Sequence, residues 1–323
     1  VKRLDLCWAL SDGRAGNARQ AEALALALVA HPAQPAQTLV LQPQPPWRWL
    51  APRQLPGAKR AYGQSFADLL RHPPALAIGC GRQAALATRL LRTRGSQVVQ
   101  VLDPRLPTRH WDIVVVPQHD RLRGDNVLTL LGSLHPIDDG WLAQGRAAFP
   151  ALGMLPSPRT GLLIGGPSSL AAWSGAQASA AFEVIAADLR ATGGSILAST
   201  SRRTPAEVAI ALRRLFADLP GIIWCDEHDG ANPYAGILGW AERLICTPDS
   251  VNLLSEACAT RAPVRVLMPE LARDRAQAFH RALRERGRLA NLHDADDTAA
   301  AGIEPLRETE RIAARIREHL QLR

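Results

Sequence analysis

The chain has 323 residues, 47% hydrophobic and 21% charged, with a net charge of +8. That length exceeds what one hydrophobic core commonly serves, so two domains are expected, and the composition excludes a disordered chain. No stretch approaches the roughly 20 uninterrupted apolar residues of a membrane-spanning helix, and Val1-Lys2-Arg3, leading into an expected strand, gives the expectation of no secretory leader.

In chain order, the first half offers strands at Leu4–Leu10, Gln37–Leu41, Ala75–Cys80, Gln97–Leu102, Ile113–Val116 and Val127–Leu131. Helical patterns cover Asn17–Ala30, Tyr62–Arg71 and Arg82–Arg94. Near-continuous apolar strands separated by helices predict a parallel sheet covered on both faces. The Pro- and Trp-rich stretch Pro43–Pro56 excludes a regular helix or central strand and predicts a surface loop. Its Trp47 and Trp49 either pack over the sheet edge or, with Arg48, face a membrane or lipid-linked acceptor.

A second Pro-dense break, Pro150–Pro158, falls near mid-chain. Beyond it, strands are expected at Leu162–Ile164, Ile196–Ser199, Ile222–Cys225, Leu244–Cys246 and Val264–Leu267. Helices are expected at Ala176–Ala191, Pro205–Leu219, after Pro233, at Val251–Thr260 and at Leu271–Arg286. The fold class is α/β: two doubly wound domains over residues 1–155 and 156–303, with a charged helix in 304–323 docking back on the first.

Ligands of such sheets sit at the carboxyl ends of strands, where helices begin. Thr247-Pro248-Asp249-Ser250 follows a strand and opens a helix, whose free N–H groups and dipole favour a phosphate. N-capping accounts for one of Asp249 and Ser250, not for the whole set. Glu256, about one and a half turns on, is placed for a ribose diol. Gly165-Gly166-Pro167-Ser168 ends another strand, where glycine permits positive φ and the approach of a phosphate or sugar. Ser201-Arg202-Arg203 ends the next, and its two arginines can neutralise a diphosphate leaving group, solvated charge being the alternative. Asn232-Pro233 can shape a base or sugar pocket.

In the first half, Ser11-Asp12-Gly13-Arg14-Ala15-Gly16-Asn17, with Gln20 a turn further, forms a glycine-rich strand-to-helix turn suited to an anion or sugar. Asp12 is the best-placed general base, with His119-Asp120 as runner-up; a turn-forming Asp is the plain alternative. Gly79-Cys80-Gly81-Arg82-Gln83-Ala84 matches a dinucleotide fingerprint, with Asp103 further on, but lies on a later strand. It is expected instead to expose Arg82 to the interdomain cleft.

The excess positive charge is almost all arginine, since only Lys2 and Lys59 are lysines, and it is spread along the chain. That favours a small phosphorylated ligand or an anionic lipid surface over nucleic acid, for which no basic block or zinc-finger spacing is present. The five cysteines are an odd number, and four lie in or at the ends of apolar runs, which predicts buried thiols in a reducing compartment. Cys225 and His228 have a ligand-like separation without a second pair to complete a metal site.

The blocks Ser11–Asn17, Val101-Leu-Asp-Pro-Arg105, Pro117-Gln-His-Asp120, Ser201–Pro205, Asn232-Pro-Tyr234 and Thr247–Ser250 together resemble the elongated-mitochondria (mitochondrial fission factor) family. They run in family order across nearly the whole chain, and its bacterial branch is assigned glycosyltransferase chemistry by inference. The resemblance implies the GT-B fold: two Rossmann-like lobes facing a cleft, with a nucleotide sugar in the C-terminal lobe and an acceptor in the N-terminal one. Asp249 through Ser255-Glu256-Ala257 also resembles the donor site of the peptidoglycan-precursor GlcNAc transferase and of the UDP-GlcNAc epimerase, which implies ribose binding by Glu256. Arg261, where those families commonly have glycine, is a departure at the following turn.

The resulting expectation is a metal-independent glycosyltransferase using a nucleotide-diphosphate sugar, of UDP type, with no further cofactor. Its acceptor would be a cell-envelope lipid-linked glycan, reached from the cytoplasm or the inner-membrane surface. The donor set is Gly165, Gly166, Ser168, Ser201, Arg202, Arg203, Asn232, Pro233, Asp249, Ser250 and Glu256. Asp12, His119 and Arg202 are the catalytic candidates, and Gly13, Arg14, Asn17, Gln20, Arg82, Arg105 and Asp120 the acceptor-side ones. The alternatives are a nucleotide-sugar epimerase of the same fold and a non-enzymatic binding or recruiting protein, as plant members of the family are known for recruitment in organelle division.

Overall fold

The apolar runs assemble into two six-stranded parallel sheets, one in each of two compact units. The first unit runs through Pro136 and takes in the chain from Arg307; the second is Ile137–Leu306. The computed structural model describes residues 6–29, 36–292, 294 and 302–322.

In the first unit the order is β1 (Cys7–Ser11), α1 (Ala15–Leu28), β2 (Gln37–Val40), α2 (Trp47–Leu50), α3 (Gly63–Leu69), β3 (Leu76–Cys80), α4 (Gly81–Arg92), β4 (Gln97–Val101), β5 (Ile113–Pro117) and β6 (Val127–Leu130). The sheet order is β2-β1-β3-β4-β5-β6, with every pairing parallel. Winding reverses between β1 and β3, so their carboxyl ends flank a crevice. Side chains alternate between faces. Ala9, Ile78 and Val115 pack with Leu24 and Leu28 of α1 and with Ile312 and Ile316 near the C-terminus, while Trp8, Ala77 and Val114 pack with Leu86 and Leu90 of α4. Leu4 and Ala30, expected as element ends, lie outside the described residues.

The second unit runs α5 (Asp139–Ala148), β7 (Arg159–Ile164), α6 (Gly175–Thr192), β8 (Ser195–Thr200), α7 (Ala206–Leu215), β9 (Gly221–Trp224), α8 (Tyr234–Trp240), β10 (Arg243–Cys246), α9 (Val251–Cys258), β11 (Val264–Val266), α10 (Asp274–Glu285) and β12 (Ala290–Asn291). Its order, β12-β11-β10-β7-β8-β9, reverses between β7 and β10. Helix α5 lies so close on α8 that a Cβ on Gly145 would stand 2.4 Å from the Ala235 carbonyl oxygen. The division between units therefore falls at Pro136–Ile137, and the Pro-dense segment 150–158 lies inside the second unit. Helix α7 stops at Leu215 because Phe216 turns inward against Phe182, with ring centroids 6.2 Å apart. Helix α10 starts at Asp274, whose φ of +43 breaks it from the turn Pro269–Leu271.

The last helix, α11 (Glu308–Leu320), belongs to the first unit. Glu308 accepts the Leu131 N–H at 2.9 Å, and Thr309 both accepts from the His135 N–H and donates to the His135 carbonyl.

Candidate functional site

The crevice at the β7–β10 switch is built around one buried carboxylate. Asp249, 2% exposed, follows β10, and Gly165-Gly166 follow β7. Asp249 Oδ2 accepts the Gly166 N–H at 3.0 Å and Arg203 Nη2 at 3.0 Å, while Oδ1 accepts Trp173 Nε1–H at 3.1 Å. Thr247 Oγ1 accepts the Gly165 N–H at 2.8 Å. A Cβ on Gly165 would stand 2.3 Å from Asp249 Oδ2, and one on Gly166 would stand 2.2 Å from the Arg203 carbonyl oxygen. Neither glycine has a positive φ. The glycines are thus required by close packing of three strand ends, not by the left-handed backbone expected from sequence.

These contacts redistribute the expected roles. The Asp249 carboxylate is consumed in holding the loop, and Arg203 is tied inward, its Nη1 donating to the Gly166 carbonyl at 3.2 Å. Arg202 is exposed and makes no hydrogen bond or ion pair among the described residues, which leaves its guanidinium available to a ligand. Ser201 shapes the turn, accepting the Arg203 N–H at 3.2 Å, and Thr204 Oγ1 donates to the Gly165 carbonyl at 2.5 Å. Ser168 closes its own turn by accepting the Leu170 N–H at 3.1 Å.

Ser250 caps α9 by accepting the Leu253 N–H at 3.3 Å. The N–H groups of Val251 and Asn252, in the first helical turn, have no carbonyl within the helix to bond. They form the anion-attracting end of α9. Glu256 lies on the same helix, 2% exposed, and accepts a hydrogen bond from the Tyr234 hydroxyl. Asn232 Oδ1 accepts the Tyr234 N–H at 3.0 Å, and Pro233 is the cap residue of α8, so this motif orients the tyrosine. Burial, then the neighbouring Cys258, Asp249 and Glu256, drives the Cys246 thiol far above its ordinary pKa, which keeps it neutral and unreactive beneath the site.

In the first unit, the β1–α1 turn bears the other carboxylate. Asp12 Oδ1 accepts Asn17 Nδ2–H at 2.9 Å and the Arg14 N–H at 3.2 Å, with Arg14 Nε 3.5 Å from Oδ2. Gly13 has φ +77 and its Cβ position lies 3.1 Å from Val40. A Cβ on Gly81 would stand 2.6 Å from Asn17 Nδ2, so glycine after β3 lets Asn17 reach Asp12. Gln20 is buried and donates to the Gly16 carbonyl at 3.2 Å. Arg105 stays exposed beside Asp103, 3.4 Å apart, and His119 and Asp120 stand half-buried just beyond β5. Arg82 is exposed, and both guanidinium arms also hold the preceding loop, Nη1 donating to the Trp49 carbonyl at 3.1 Å and Nη2 to that of Arg48 at 3.2 Å.

Four residues matter more than sequence reasoning allowed: Trp173, Thr204, Tyr234 and Thr247. Only Trp173 lay outside every motif; its signal is an indole N–H that must find an acceptor when buried. Asp294-Ala295-Asp296 has the Asp-x-Asp spacing of some metal-dependent transferases. Asp294 accepts the Asn291 N–H at 2.6 Å, and Asp296 lies outside the described residues. Among the described residues, no three His, Cys, Asp or Glu side chains gather as metal ligands, and all five cysteines are free.

The same two-unit fold occurs in solved structures. UDP-GlcNAc 2-epimerase from Methanocaldococcus jannaschii superposes with a TM-score of 0.60 at 14% identity, covering 98% of this chain and 100% of that one. The calicheamicin glycosyltransferase CalG4 gives 0.53 at 12% identity, covering 98% of each chain. This is the GT-B fold implied by the sequence blocks. The mitochondrial fission protein ELM1 of Arabidopsis thaliana is 30% identical over 279 residues, or 77% of this chain, which spans only 65% of that protein's length. The family model described as mitochondrial fission ELM1 matches residues 15–320, and the chain belongs to that family.

Proposed function

We propose that the chain is a glycosyltransferase whose donor is a nucleoside diphosphate sugar of UDP type, bound at the carboxyl ends of β7 and β10. The observation that carries this reading is the interlocked loop pair at the sheet reversal. Asp249 fixes Gly166 there, α9 presents its N-terminal N–H groups, and the exposed Arg202 follows β8 next to Arg203, which bonds Asp249. Such a crevice attracts a phosphorylated ligand. The GT-B relatives, one of them named for UDP-GlcNAc, support the donor class.

In the proposed step an acceptor hydroxyl oxygen forms a bond to the anomeric carbon while the carbon–oxygen bond to the diphosphate breaks. The electron pair leaves with the β-phosphate oxygen, whose charge meets Arg202 and the α9 N–H groups. A carboxylate takes the hydroxyl proton, and Asp12, with one oxygen already oriented by Asn17, is the first unit's candidate for that role. Glu256, set by Tyr234, holds the ribose. The acceptor class is a lipid-linked glycan of the cell envelope, on the cytoplasmic side of the membrane.

A thermal-shift screen of nucleoside diphosphates and their sugars tests donor binding, since a ligand of the folded state raises its stability. Uridine nucleotides should stabilise the chain, and Arg202→Ala should lower their affinity about tenfold with the unliganded melting temperature kept. Unchanged affinity in Arg202→Ala removes that assignment. Product analysis then separates the alternatives: epimerised sugar nucleotide without acceptor indicates an epimerase, and nucleotide binding with no turnover of any donor indicates a binding or recruiting protein.

A further inference from the structure

The segment between β2 and α3 is one-sided in charge. From 36 to 67 it carries Arg48, Arg53, Lys59 and Arg60 and no acidic residue. All four cations are exposed. Helix α2 splits its two indoles: Trp47 packs against the core layer of Trp8 and Leu86, whereas Trp49 is 64% exposed. Leu55 is 42% exposed on the next turn, and that turn folds back on α2, since the Cβ position of Gly57 lies 3.4 Å from the Trp47 ring. Trp49 is the one aromatic among the large exposed apolar side chains of the described residues.

The segment is also held from beneath. Arg82 bonds the carbonyls of Trp49 and Arg48, Gln83 donates to the Arg48 carbonyl at 2.8 Å, and Arg89 donates to that of Pro52 at 2.6 Å. Four side-chain donor groups of α4 thus satisfy its backbone from the inside. Its outer face offers an indole, a leucine and cations on a backbone already held in place, so little backbone ordering accompanies association. An indole with one wet and one apolar side suits the bilayer headgroup level. Arginine and lysine beside it suit lipid phosphates, with their aliphatic stems lying along the apolar surface.

We infer that residues 47–60 dock the chain on an anionic lipid bilayer, Trp49 and Leu55 entering the headgroup region and Arg48, Arg53, Lys59 and Arg60 facing the phosphates. This surface stands independently of the donor site. One exposed aromatic gives no platform on which successive bases could stack, which disfavours nucleic acid as its partner.

The test is sedimentation of the full chain with vesicles of phosphatidylcholine, alone or mixed with phosphatidylglycerol. Binding is expected with the anionic vesicles only and should fall as salt rises. Trp49→Ser, and Arg48→Glu combined with Lys59→Glu, should each weaken it about tenfold or more. Arg94→Glu combined with Arg214→Glu, the same charge change elsewhere, should weaken it far less. Brominated lipid should quench tryptophan fluorescence, and Trp49→Phe should bind but lose that quenching. No binding to anionic vesicles at low salt overturns the inference. So does equal binding by folded Trp49→Ser and charge-reversed variants, or a preference for duplex DNA that those variants share. Uridine nucleotide binding, measured on the same proteins, reports separately on the donor site, so either idea can fail without the other.

Discussion

Asp249 and Arg203 meet at 3.0 Å, the carboxylate fully buried and the guanidinium half exposed. The pair ties the loop after β10 to the loop after β8, and the Gly166 N–H on the same oxygen ties in the loop after β7. A motif read from sequence as phosphate-binding thereby has a second function in the fold: it fixes the relative positions of three strand ends.

Asp249→Ala leaves the Gly166 N–H, the Trp173 indole N–H and the Arg203 guanidinium short of an acceptor. A stability loss of about 3 kcal/mol is expected, with loss of uridine nucleotide binding. Arg203→Ala should cost only about 1 kcal/mol, because Arg203 is half exposed and the carboxylate keeps two donors. Urea unfolding of the two variants checks the order.

Gly166→Ala forces a methyl group against the Arg203 carbonyl oxygen, which is backbone and cannot swing away. It should destabilise by about 2 kcal/mol and reduce nucleotide affinity. Gly193→Ala is the contrast: its Cβ meets open space at φ +78, so only backbone strain of about 1 kcal/mol applies, and nucleotide affinity stays unchanged. Thermal unfolding and nucleotide titration of both proteins decide this.

Tyr234→Phe removes the hydroxyl that bonds the buried Glu256 carboxylate. Stability should fall by about 1–3 kcal/mol. If Glu256 holds the ribose, affinity for uridine diphosphate should fall while affinity for pyrophosphate does not. Equal loss for both ligands would place Glu256 outside the ribose site.

His280 of α10 is 1% exposed, and neither ring nitrogen has a hydrogen-bond partner of good geometry. Burial, then the charge of Arg284, pushes its pKa from 6.5 down to about 4, with a weaker opposing pull from the Pro248 carbonyl. Between those values the unfolded chain takes a proton that the folded chain refuses. Stability contributed by this group is therefore level above pH 6.5 and falls as pH drops toward 4, by up to about 3 kcal/mol. Urea unfolding at neutral and mildly acid pH should show His280→Leu losing less stability on acidification than the parent chain.

Apolar periodicity located strands such as Ala75–Cys80 and Ile113–Val116 almost to the residue, because a central parallel strand must be apolar on both faces. Helix α5 escaped notice: it hides its contact with α8 behind small residues such as Gly145, which carry little periodic signal. Strand β12 has two residues, too short for any pattern. Arg82 was visible as an arginine at a strand end, but its use depends on carbonyls more than thirty positions earlier in the chain.

The sequence by itself determined two parallel α/β sheets and the strand ends where chemistry belongs, since hydrophobic alternation and glycine, proline and capping residues act over a few positions. It also carried the family, through blocks spaced along the whole chain. Only the tertiary structure decided which residues of those blocks remain free for a ligand. Thr247-Pro248-Asp249-Ser250 and Ser201-Arg202-Arg203 are local strings, yet Asp249 and Arg203 spend their charges on each other and Arg202 does not. That partition depends on strands β7, β8 and β10 standing side by side, a proximity that hydrogen bonds across about eighty positions of chain create.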